Sequence, residues 1–383
     1  MMLFDDFGAF HLIVMIITPI CISFGFVLFS RNCLRKNRAD IPAGSDRISV
    51  IIPARNEEIN LPHLLASLAD QTIKPHEIIV IDDYSEDRTA EIASAYDTIL
   101  VSNPPLPEGW TGKNWAVWNG YLRSTGDILI FLDSDVRLAA DGIELLISNR
   151  ERTGGVISVL PYHYSEKFYE RLSLVLYLLG VFAFTAPAER VKSIKSLYGS
   201  CIVALRKDYE AVSGHKDVRT EILDDMSLGM AFCRAGINVE NFTGCDTVSF
   251  RMYPGGLKSE FEGFGKGAVL GAATLKLPSI LMIAGWVIGL FACGFVFPVA
   301  LIALEPSMIL AFGTGYLLYA FQFYYLNAYS GRYGWLMPLI HVLPSLFFIA
   351  VMLYSIFRTT FYKNIPWKGR LVSVIKNTSK TQQ

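Results

Sequence analysis

The chain combines short apolar runs that end in polar clusters with long apolar runs that carry no charge. The first short run, 48–52, is stopped by Pro53, and leucines follow at helical spacing from 61 to 68. A second apolar run, 78–81, ends in Asp82 and Asp83, and "TAEIASAY" and "TILVS" then predict another helix and strand. This alternation predicts an α/β domain with a doubly wound parallel sheet.

The first long apolar run, residues 11–30, holds no charged residue and is long enough to cross a membrane core of about 30 Å. Two aspartates precede it and four basic residues follow it between 31 and 38. A cleaved signal peptide has basic residues before its apolar run, so a retained transmembrane anchor is favoured. The positive-inside rule then places residues 1–10 outside and the basic linker 31–44 in the cytoplasm.

Three further apolar segments, 279–304, 307–329 and 334–357, are each long enough to span a membrane. Three crossings would leave the tail 358–383 outside, yet its basic residues favour the cytoplasm. Either the tail is external, or one segment is re-entrant or interfacial. The segment 334–357, which contains two prolines and His341, is the candidate for re-entry. The sequence therefore predicts a multi-pass plasma-membrane protein whose domain at 45–270 is cytoplasmic.

Composition supports this division and excludes other classes. Apolar residues make up 52% of the chain and charged residues 18%, against about 25% charged in soluble domains. The net charge of −1 and the absence of a long basic stripe speak against a nucleic-acid partner. The six cysteines show no C-x-x-C spacing, so we expect neither a zinc site nor disulfides in a reducing cytosol.

Polar residues follow three of the predicted strands at the point where each strand ends. These are the run 55–57 after the first strand, Asp82 and Asp83 after the second, and Asp133 and Asp135 after "DILIFLD". The carboxyl ends of parallel strands share one edge of a sheet, where ligands bind. An isolated D-x-D is usually only a cap or a solvated turn. Beside two other polar strand ends, it predicts a Mg²⁺ or Mn²⁺ site shared with a substrate phosphate.

Several of these segments resemble the successive motifs of family 2 glycosyltransferases. They are "VIDDYSEDRT" (80–89), "GWTGKNWAVWNG" (109–120), "FLDSDV" (131–136) and "ILDDMSLG" (222–229), with the opening 49–58. The resemblance covers about residues 45–270 and implies a GT-A fold, a Rossmann-like domain that binds nucleotide-diphospho-sugars. The chain departs from the family at Tyr84, where glycine is usual. The Q-x-x-R-W element survives only as Glu262, Phe264 and Lys266.

A narrower resemblance is carried by "VLPYHYSEKFYE" (159–170), "SGHK" (213–216), "FRMYPGG" (250–256) and "WKGR" (367–370). These segments are similar to membrane glycosyltransferases that glucosylate carotenoid carboxylic acids, the diaponeurosporenoate type. The likeness implies UDP-glucose as donor, a membrane-embedded polyene acid as acceptor and association with other membrane enzymes of the pathway. A hopanoid or other lipid glycosyltransferase and a polysaccharide synthase remain alternatives.

Beside the resemblance, the chemistry of the residues predicts donor-side roles. A metal would neutralise the departing diphosphate, and Lys113 would approach the same phosphates as a point charge. Glu57 is equally well explained as a first-turn helix acid. The predicted metal ligands are Asp133 and Asp135. The predicted donor-binding residues are Pro53, Ala54, Arg55, Glu57, Asp82, Asp83, Lys113 and Asp133.

The acceptor side is less specified. Asp224 and Asp225 begin a predicted helix, where an acid could deprotonate an acceptor hydroxyl during inverting displacement. The family pattern favours Asp225 as this base. His163, Trp110 and Lys266 are candidate acceptor-side residues. The apolar segment 168–189 is either a core helix or an interfacial helix that presents the site to a lipid-like acceptor.

Overall fold

The computed structural model describes residues 9–35, 47–221, 223–265, 275–361, 364–367 and 370–373. The acceptor-side prediction for Lys266, the external residues 1–8 and most of the basic tail lie outside these residues. The strands are β1 Ile48–Ala54, β2 Glu77–Asp82, β3 Ile99–Ser102, β4 Ile128–Leu132, β5 Val136–Leu138, β6 Val156–Leu160, β7 Tyr162–Tyr164, β8 Cys201–Leu205, β9 Val239–Thr243, β10 Val248–Phe250, β11 Gly331–Arg332, β12 Asn364–Trp367 and β13 Arg370–Ser373.

The helices follow the same chain order. They are α1 Ala9–Leu28, α2 Leu61–Ala69, α3 Thr89–Ser94, α4 Gly112–Arg123, α5 Gly142–Thr153, α6 Leu174–Thr185, α7 Pro187–Arg190, α8 Arg206–Ala211, α9 Asp224–Arg234, α10 Leu257–Gly265, α11 Leu277–Ala303, α12 Pro306–Ser330, α13 Leu336–Leu339 and α14 Val342–Phe361. Two 3₁₀ turns, Tyr169–Ser173 and Gly214–Lys216, precede α6 and α9.

The main sheet has the order β3-β2-β1-β4-β8-β6-β9. Its first four strands are parallel, which confirms the predicted strand–helix–strand half of the fold. β8 departs from that prediction because it runs antiparallel to both β4 and β6. Pro53 also lies inside β1 rather than after it. It is tolerated there because the pairing with β4 ends at Ile51, so only β2 continues alongside.

A small second sheet, β11-β7-β10-β5, stands at the corner where the chain leaves β4. The turn 133–135 connects β4 of the large sheet directly to β5 of the small one. The main-chain N–H of Asp133 donates to the carbonyl of Ser200 at 2.9 Å, and that of Arg251 donates to the carbonyl of Asp135 at 3.1 Å. The two predicted metal ligands therefore occupy a corner that is held by both sheets.

The main sheet buries apolar side chains on both faces. One face, which includes Ile51, Ile81 and Phe131, packs under α4 and α9. The other face, which includes Val50 and Ile52, belongs to a larger core that continues through α6 to Trp286 and Phe323 of the C-terminal helices. The domain and the helical layer thus share one hydrophobic core.

The segment 168–189 forms the 3₁₀ turn, α6 and α7, and more than half of it is buried. α6 packs against β9 and against α11, α12 and α14, with Leu178 and Phe182 fully buried. Of the two readings left open by the sequence, these contacts favour the core helix. It joins the domain to the helical layer.

Among the described residues, Leu277–Ala303 and Tyr169–Arg190 are apolar and long enough to cross a membrane by length and composition alone. Shorter apolar helices cover Ile13–Leu28 and Val342–Arg358. α1, α11 and α12 pack against one another, and their outward faces expose apolar side chains such as Ile16, Ile288 and Leu317.

Residues 331–361 leave the domain and return to it. β11 pairs with β7 at the end of α12, and Tyr333 stacks on His163. The chain then runs along the helices until His341 lies beside Tyr316, with ring centroids 4.1 Å apart. α14 reverses direction, and its Tyr354 packs on α10 of the domain.

The expectation that no cysteines pair is wrong, because Cys33 and Cys245 form a disulfide. The two residues are 212 positions apart in sequence, so spacing could not reveal the pair. A single β-bridge between Cys33 and Thr243 brings the segment after α1 beside the end of β9, next to Cys245. The disulfide ties α1 to the domain.

Candidate functional site

A cavity of about 220 Å³ lies at the carboxyl ends of β1, β2 and β4. It is the feature that the three polar strand ends predicted. Both predicted metal ligands, Asp133 and Asp135, line it. So do seven of the eight predicted donor residues: Pro53, Ala54, Arg55, Glu57, Asp83, Lys113 and Asp133.

Two loops form one wall of this cavity and brace each other through backbone N–H groups. Asn56 donates to the Ser85 hydroxyl at 3.0 Å, and Glu57 donates to the Thr89 hydroxyl at 2.8 Å. Asn56 and Tyr84 have φ values of 52° and 58°, in the left-handed region that glycine usually occupies. The chain therefore adopts a left-handed turn at Tyr84 despite the side chain.

The acidic pair after β2 divides into two roles. Asp82 caps the turn, because its Oδ1 accepts from the Ser85 N–H at 3.3 Å. Asp83 is buried and lines the cavity. Its Oδ1 accepts from the Asn103 amide at 2.9 Å, and its main-chain oxygen accepts from Arg55 at 2.7 Å. Asp83, not Asp82, is therefore placed to contact a ligand.

Lys113, at the start of α4, reaches the D-x-D corner. Its Nζ lies 2.7 Å from Oδ1 of Asp133, with side chains 23% and 27% exposed. Burial works to lower the pKa of Lys113, but the charges of Asp133, Asp224 and Asp225 outweigh it and raise the pKa. The ammonium is thus firmly charged at the D-x-D corner.

The D-x-D corner has the chemistry of a divalent-cation site. Asp133 and Asp135 offer carboxylate oxygens to one cavity, and Lys113 already places a cationic group against Asp133. Within the described residues there is no cluster of three or more acidic, His or Cys side chains suited to a metal. Two carboxylates completed by water and phosphate oxygens are the usual set for Mg²⁺. The residues present fit such an ion.

The acid pair at the start of α9 faces the same region, and its members differ. Asp224 is buried with Oδ2 3.6 Å from Nε2 of His215. Burial works to raise its pKa, but His215 and Lys113 lower it. Burial and the neighbouring Asp224 charge raise the pKa of Asp225 to about 7. At neutral pH, Asp224 is therefore ionised, whereas Asp225 is present in both its protonated and its ionised form.

Comparison with known proteins places this site in a family. A profile of the family described as "Glycosyl transferase family 2" matches residues 49–213. The 4,4'-diaponeurosporenoate glycosyltransferase of Staphylococcus aureus (strain N315) is 30% identical over 372 residues, covering 95% of this chain and 98% of the relative. The protein of the same name from S. aureus (strain USA300) gives the same identity and coverage.

The chain belongs to glycosyl transferase family 2. It is an enzyme, a glycosyltransferase. Its fold is similar to that of a solved structure, the mannosyltransferase PcManGT from Pyrobaculum calidifontis in complex with GDP-Man and Mn²⁺. That similarity has a TM-score of 0.52 at 15% identity and covers 90% of this chain and 98% of the other. It supports the GT-A-like fold.

Several residues of this glycosyltransferase site were missed by sequence reasoning. Ser200, Met252 and Tyr253 line the cavity, and His215 contacts Asp224. Gly199 lies against Asp225, and a Cβ there would be 2.9 Å from Oδ2. "SGHK" and "FRMYPGG" contain His215 and Tyr253, so the family resemblance marked those segments without assigning roles. Gly199 and Ser200 carried no sequence signal.

Two acceptor-side predictions for this glycosyltransferase lie away from the cavity. His163 is 3% exposed and packs among Tyr177, Phe250 and Tyr333. Burial lowers the pKa of His163 to about 4, so it is neutral in this aromatic cluster. Trp110 makes an edge-to-face contact with Trp115, with ring centroids 4.9 Å apart. Neither His163 nor Trp110 lines the cavity.

Proposed function

We propose that this glycosyltransferase transfers a hexose from UDP-glucose to a lipid-like carboxylic acid of the carotenoid or terpenoid class, forming a glycosyl ester with inversion. The observation that carries the proposal is the separation of charged groups around this cavity. Lys113 and the D-x-D corner line it, whereas Asp225 of α9 lies outside it, against Gly199, whose neighbour Ser200 lines the cavity. The name of the S. aureus relative supports the acceptor class.

On the donor side, Asp83 accepts a hydrogen bond from the uracil or ribose, since a carboxylate pairs with donor groups. Lys113 binds a diphosphate oxygen through its ammonium, which lies 2.7 Å from Asp133 at the D-x-D corner and exchanges that contact for the diphosphate. Asp133 and Asp135 would hold Mg²⁺ or Mn²⁺, which supplies Lewis-acid neutralisation of the leaving group. These groups stabilise the charge that grows on the diphosphate as the bond to the sugar breaks.

On the acceptor side, the pKa of Asp225 is raised to about 7, so near neutral pH its carboxyl is present in both the protonated and the ionised form. For a hydroxyl acceptor, its ionised form takes the proton as the oxygen attacks the anomeric carbon. A carboxylate acceptor is already a nucleophile and needs no base. For that acceptor, the protonated form of Asp225 donates a hydrogen bond to the anion and orients it.

The membrane arrangement is part of the same proposal. α1, α11 and α12 cross the plasma membrane, and 334–357 is re-entrant because α14 returns to α10. The cavity then faces the cytoplasmic leaflet, where a lipid-like acceptor is available. Arg31 at the domain end of α1 lies over the rings of Tyr325 and Tyr329, a pairing suited to the bilayer interface.

The disulfide gives this orientation a direct test. Disulfides persist mainly in oxidising compartments, so Cys33–Cys245 stands against a cytoplasmic domain. The test uses a variant in which both paired cysteines are replaced by serine and exposed Lys216 by cysteine (Lys216→Cys). In intact cells, a membrane-impermeant maleimide should fail to label this new cysteine. Labelling without permeabilisation would place the domain outside and refute the proposed orientation.

The activity is tested with the full-length protein in detergent. UDP release should depend on UDP-glucose and a long polyene carboxylic acid together, and mass analysis should find the acid carrying one hexosyl unit. Mild alkali should release the sugar, because an ester and not an ether is formed. A product that contains a sugar polymer, or transfer only to sterol-like alcohols, would replace the proposed acceptor.

A further inference from the structure

His215 is a buried histidine that the proposed mechanism does not use. It lies in the 3₁₀ turn before α9, only 3% exposed, between the rings of Phe131 and Tyr209. Its Nδ1 is 2.8 Å from the Tyr209 hydroxyl, and its Nε2 is 3.6 Å from Oδ2 of Asp224. The ring therefore connects a fully buried tyrosine with the first acid of α9.

The hydrogen bonds around this ring favour one of its two tautomers. The Tyr209 hydroxyl accepts from the main-chain N–H of His215 at 3.0 Å, which leaves its proton free to be donated to Nδ1. With Nδ1 as the acceptor, a neutral ring carries its proton on Nε2 and points it at Asp224. Gly214 permits this packing, since a Cβ there would lie 2.2 Å from the Tyr209 ring.

Asp224 passes this constraint on to the donor side of the cavity. Asp224, His215, Lys113 and Asp133 border one small hollow beside the main cavity. The negative charge of Asp224 acts on Lys113, whose ammonium contacts Asp133. A chain of polar groups therefore runs from the Tyr209 hydroxyl through His215 and Asp224 to the lysine at the phosphate position.

We propose that His215 is a positioning residue for donor binding: it fixes Asp224, which holds the Lys113 ammonium at the diphosphate when that group displaces the contact with Asp133. The two adjacent acids of α9 then serve different substrates, Asp224 the donor through Lys113 and Asp225 the acceptor. This inference rests on the proposed nucleotide-sugar donor, and it concerns residues that do not touch the sugar.

The test is UDP binding in the presence of Mn²⁺, measured by calorimetry on the full-length protein in detergent without acceptor. His215→Leu should weaken binding about tenfold, because the buried Asp224 carboxylate would lose the polar contact with Nε2 that lies 3.6 Å away. His215→Gln should retain most of the wild-type affinity, because the glutamine amide can donate to Asp224. Tyr209→Phe keeps the core volume and should weaken binding about threefold through the tautomer.

The matched control is Lys216→Ala, since Lys216 is exposed in the same turn. It should bind UDP like the wild type. In steady-state assays, His215→Leu should raise KM for UDP-glucose more than it lowers kcat, whereas a folding defect would lower the active fraction and leave KM unchanged. Unchanged UDP affinity in both His215→Leu and Tyr209→Phe would overturn the inference alone. Wild-type protein that binds no nucleoside diphosphate would overturn the proposed donor as well.

Discussion

Replacing Gly199 by alanine tests the role of Asp225 without touching its carboxyl chemistry. A Cβ at position 199 would lie 2.9 Å from Oδ2 of Asp225 and 3.2 Å from its Cβ, whereas an ordinary contact begins at 3.4 Å. The carboxylate cannot simply rotate away without losing the hydrogen bond that Oδ1 accepts from the Met226 N–H at 2.8 Å. The whole side chain must therefore shift.

The size of the shift sets the expected loss of activity. Oδ2 must move by about 0.5 Å, and a misplacement of about 1 Å costs on the order of a hundredfold, so kcat should fall about tenfold. The loss applies to an alcohol acceptor, for which Asp225 serves as base. A carboxylic acid acceptor should lose less. UDP affinity should change little, because the three atoms nearest to the added Cβ all belong to Asp225 and none to Lys113 or Asp133.

The assay is kcat for UDP release with a terpenoid alcohol and with the matching acid. Gly255→Ala is the control, since a Cβ there meets only Ser259 at 3.7 Å. It should retain wild-type kcat. If Gly199→Ala keeps full kcat on the alcohol while binding UDP normally, Asp225 is not the acceptor-side acid.

Three other outcomes are expected. Asp225→Asn should abolish activity on the alcohol but keep part of the activity on the acid. In the wild-type enzyme, the rate with the alcohol should rise with pH through about 7 as Asp225 ionises, while the rate with the acid falls. Parallel pH profiles for the two acceptors would contradict this. EDTA should abolish UDP release, and added Mn²⁺ should restore it. The Asp133→Asn variant should have a kcat at least about a hundredfold lower, which added Mn²⁺ does not restore. Undiminished activity without divalent ions would exclude the metal site. Arg251→Met should destabilise the fold by about 3–5 kcal/mol, because Glu170, 2.7 Å away and 2% exposed, would be left buried without its counter-charge. Arg88→Ala at an exposed ion pair should cost less than about 1 kcal/mol, and equal thermal midpoints for the two variants would refute that reasoning.

The half of the site at the ends of β1, β2 and β4 was predictable because its information is local. Each of the first strands is indicated by an apolar run, and each polar cluster follows its strand by one or two residues, as with Asp83 and Asp133. Parallel pairing then brings the strand ends together without further information. Distinguishing Asp83 from Asp82 needed the turn geometry, which depends on Ser85 and Asn103.

The other half was not predictable, because it depends on contacts between distant segments. β8 follows a long excursion and inserts antiparallel to β4, and this carries Gly199 and Ser200 to the site. Cys33 and Cys245 pair across 212 residues. His163 looked like a site residue because a polar residue beside an apolar segment is noticeable, yet it packs on Tyr333 from the far end of the chain. Spacing carries no signal of such contacts.

The small strand β11 has a mechanical consequence for the enzyme. Its two residues, Gly331 and Arg332, pair with β7, and β7 in turn is joined through β10 to β5, which begins one residue after Asp135. The bundle is thereby coupled to the D-x-D corner through an unbroken row of main-chain hydrogen bonds. In the proposed membrane arrangement, tilting or thinning of the surrounding lipid would therefore shift the D-x-D corner, so turnover measured in bilayers of different thickness should vary even when both substrates are saturating.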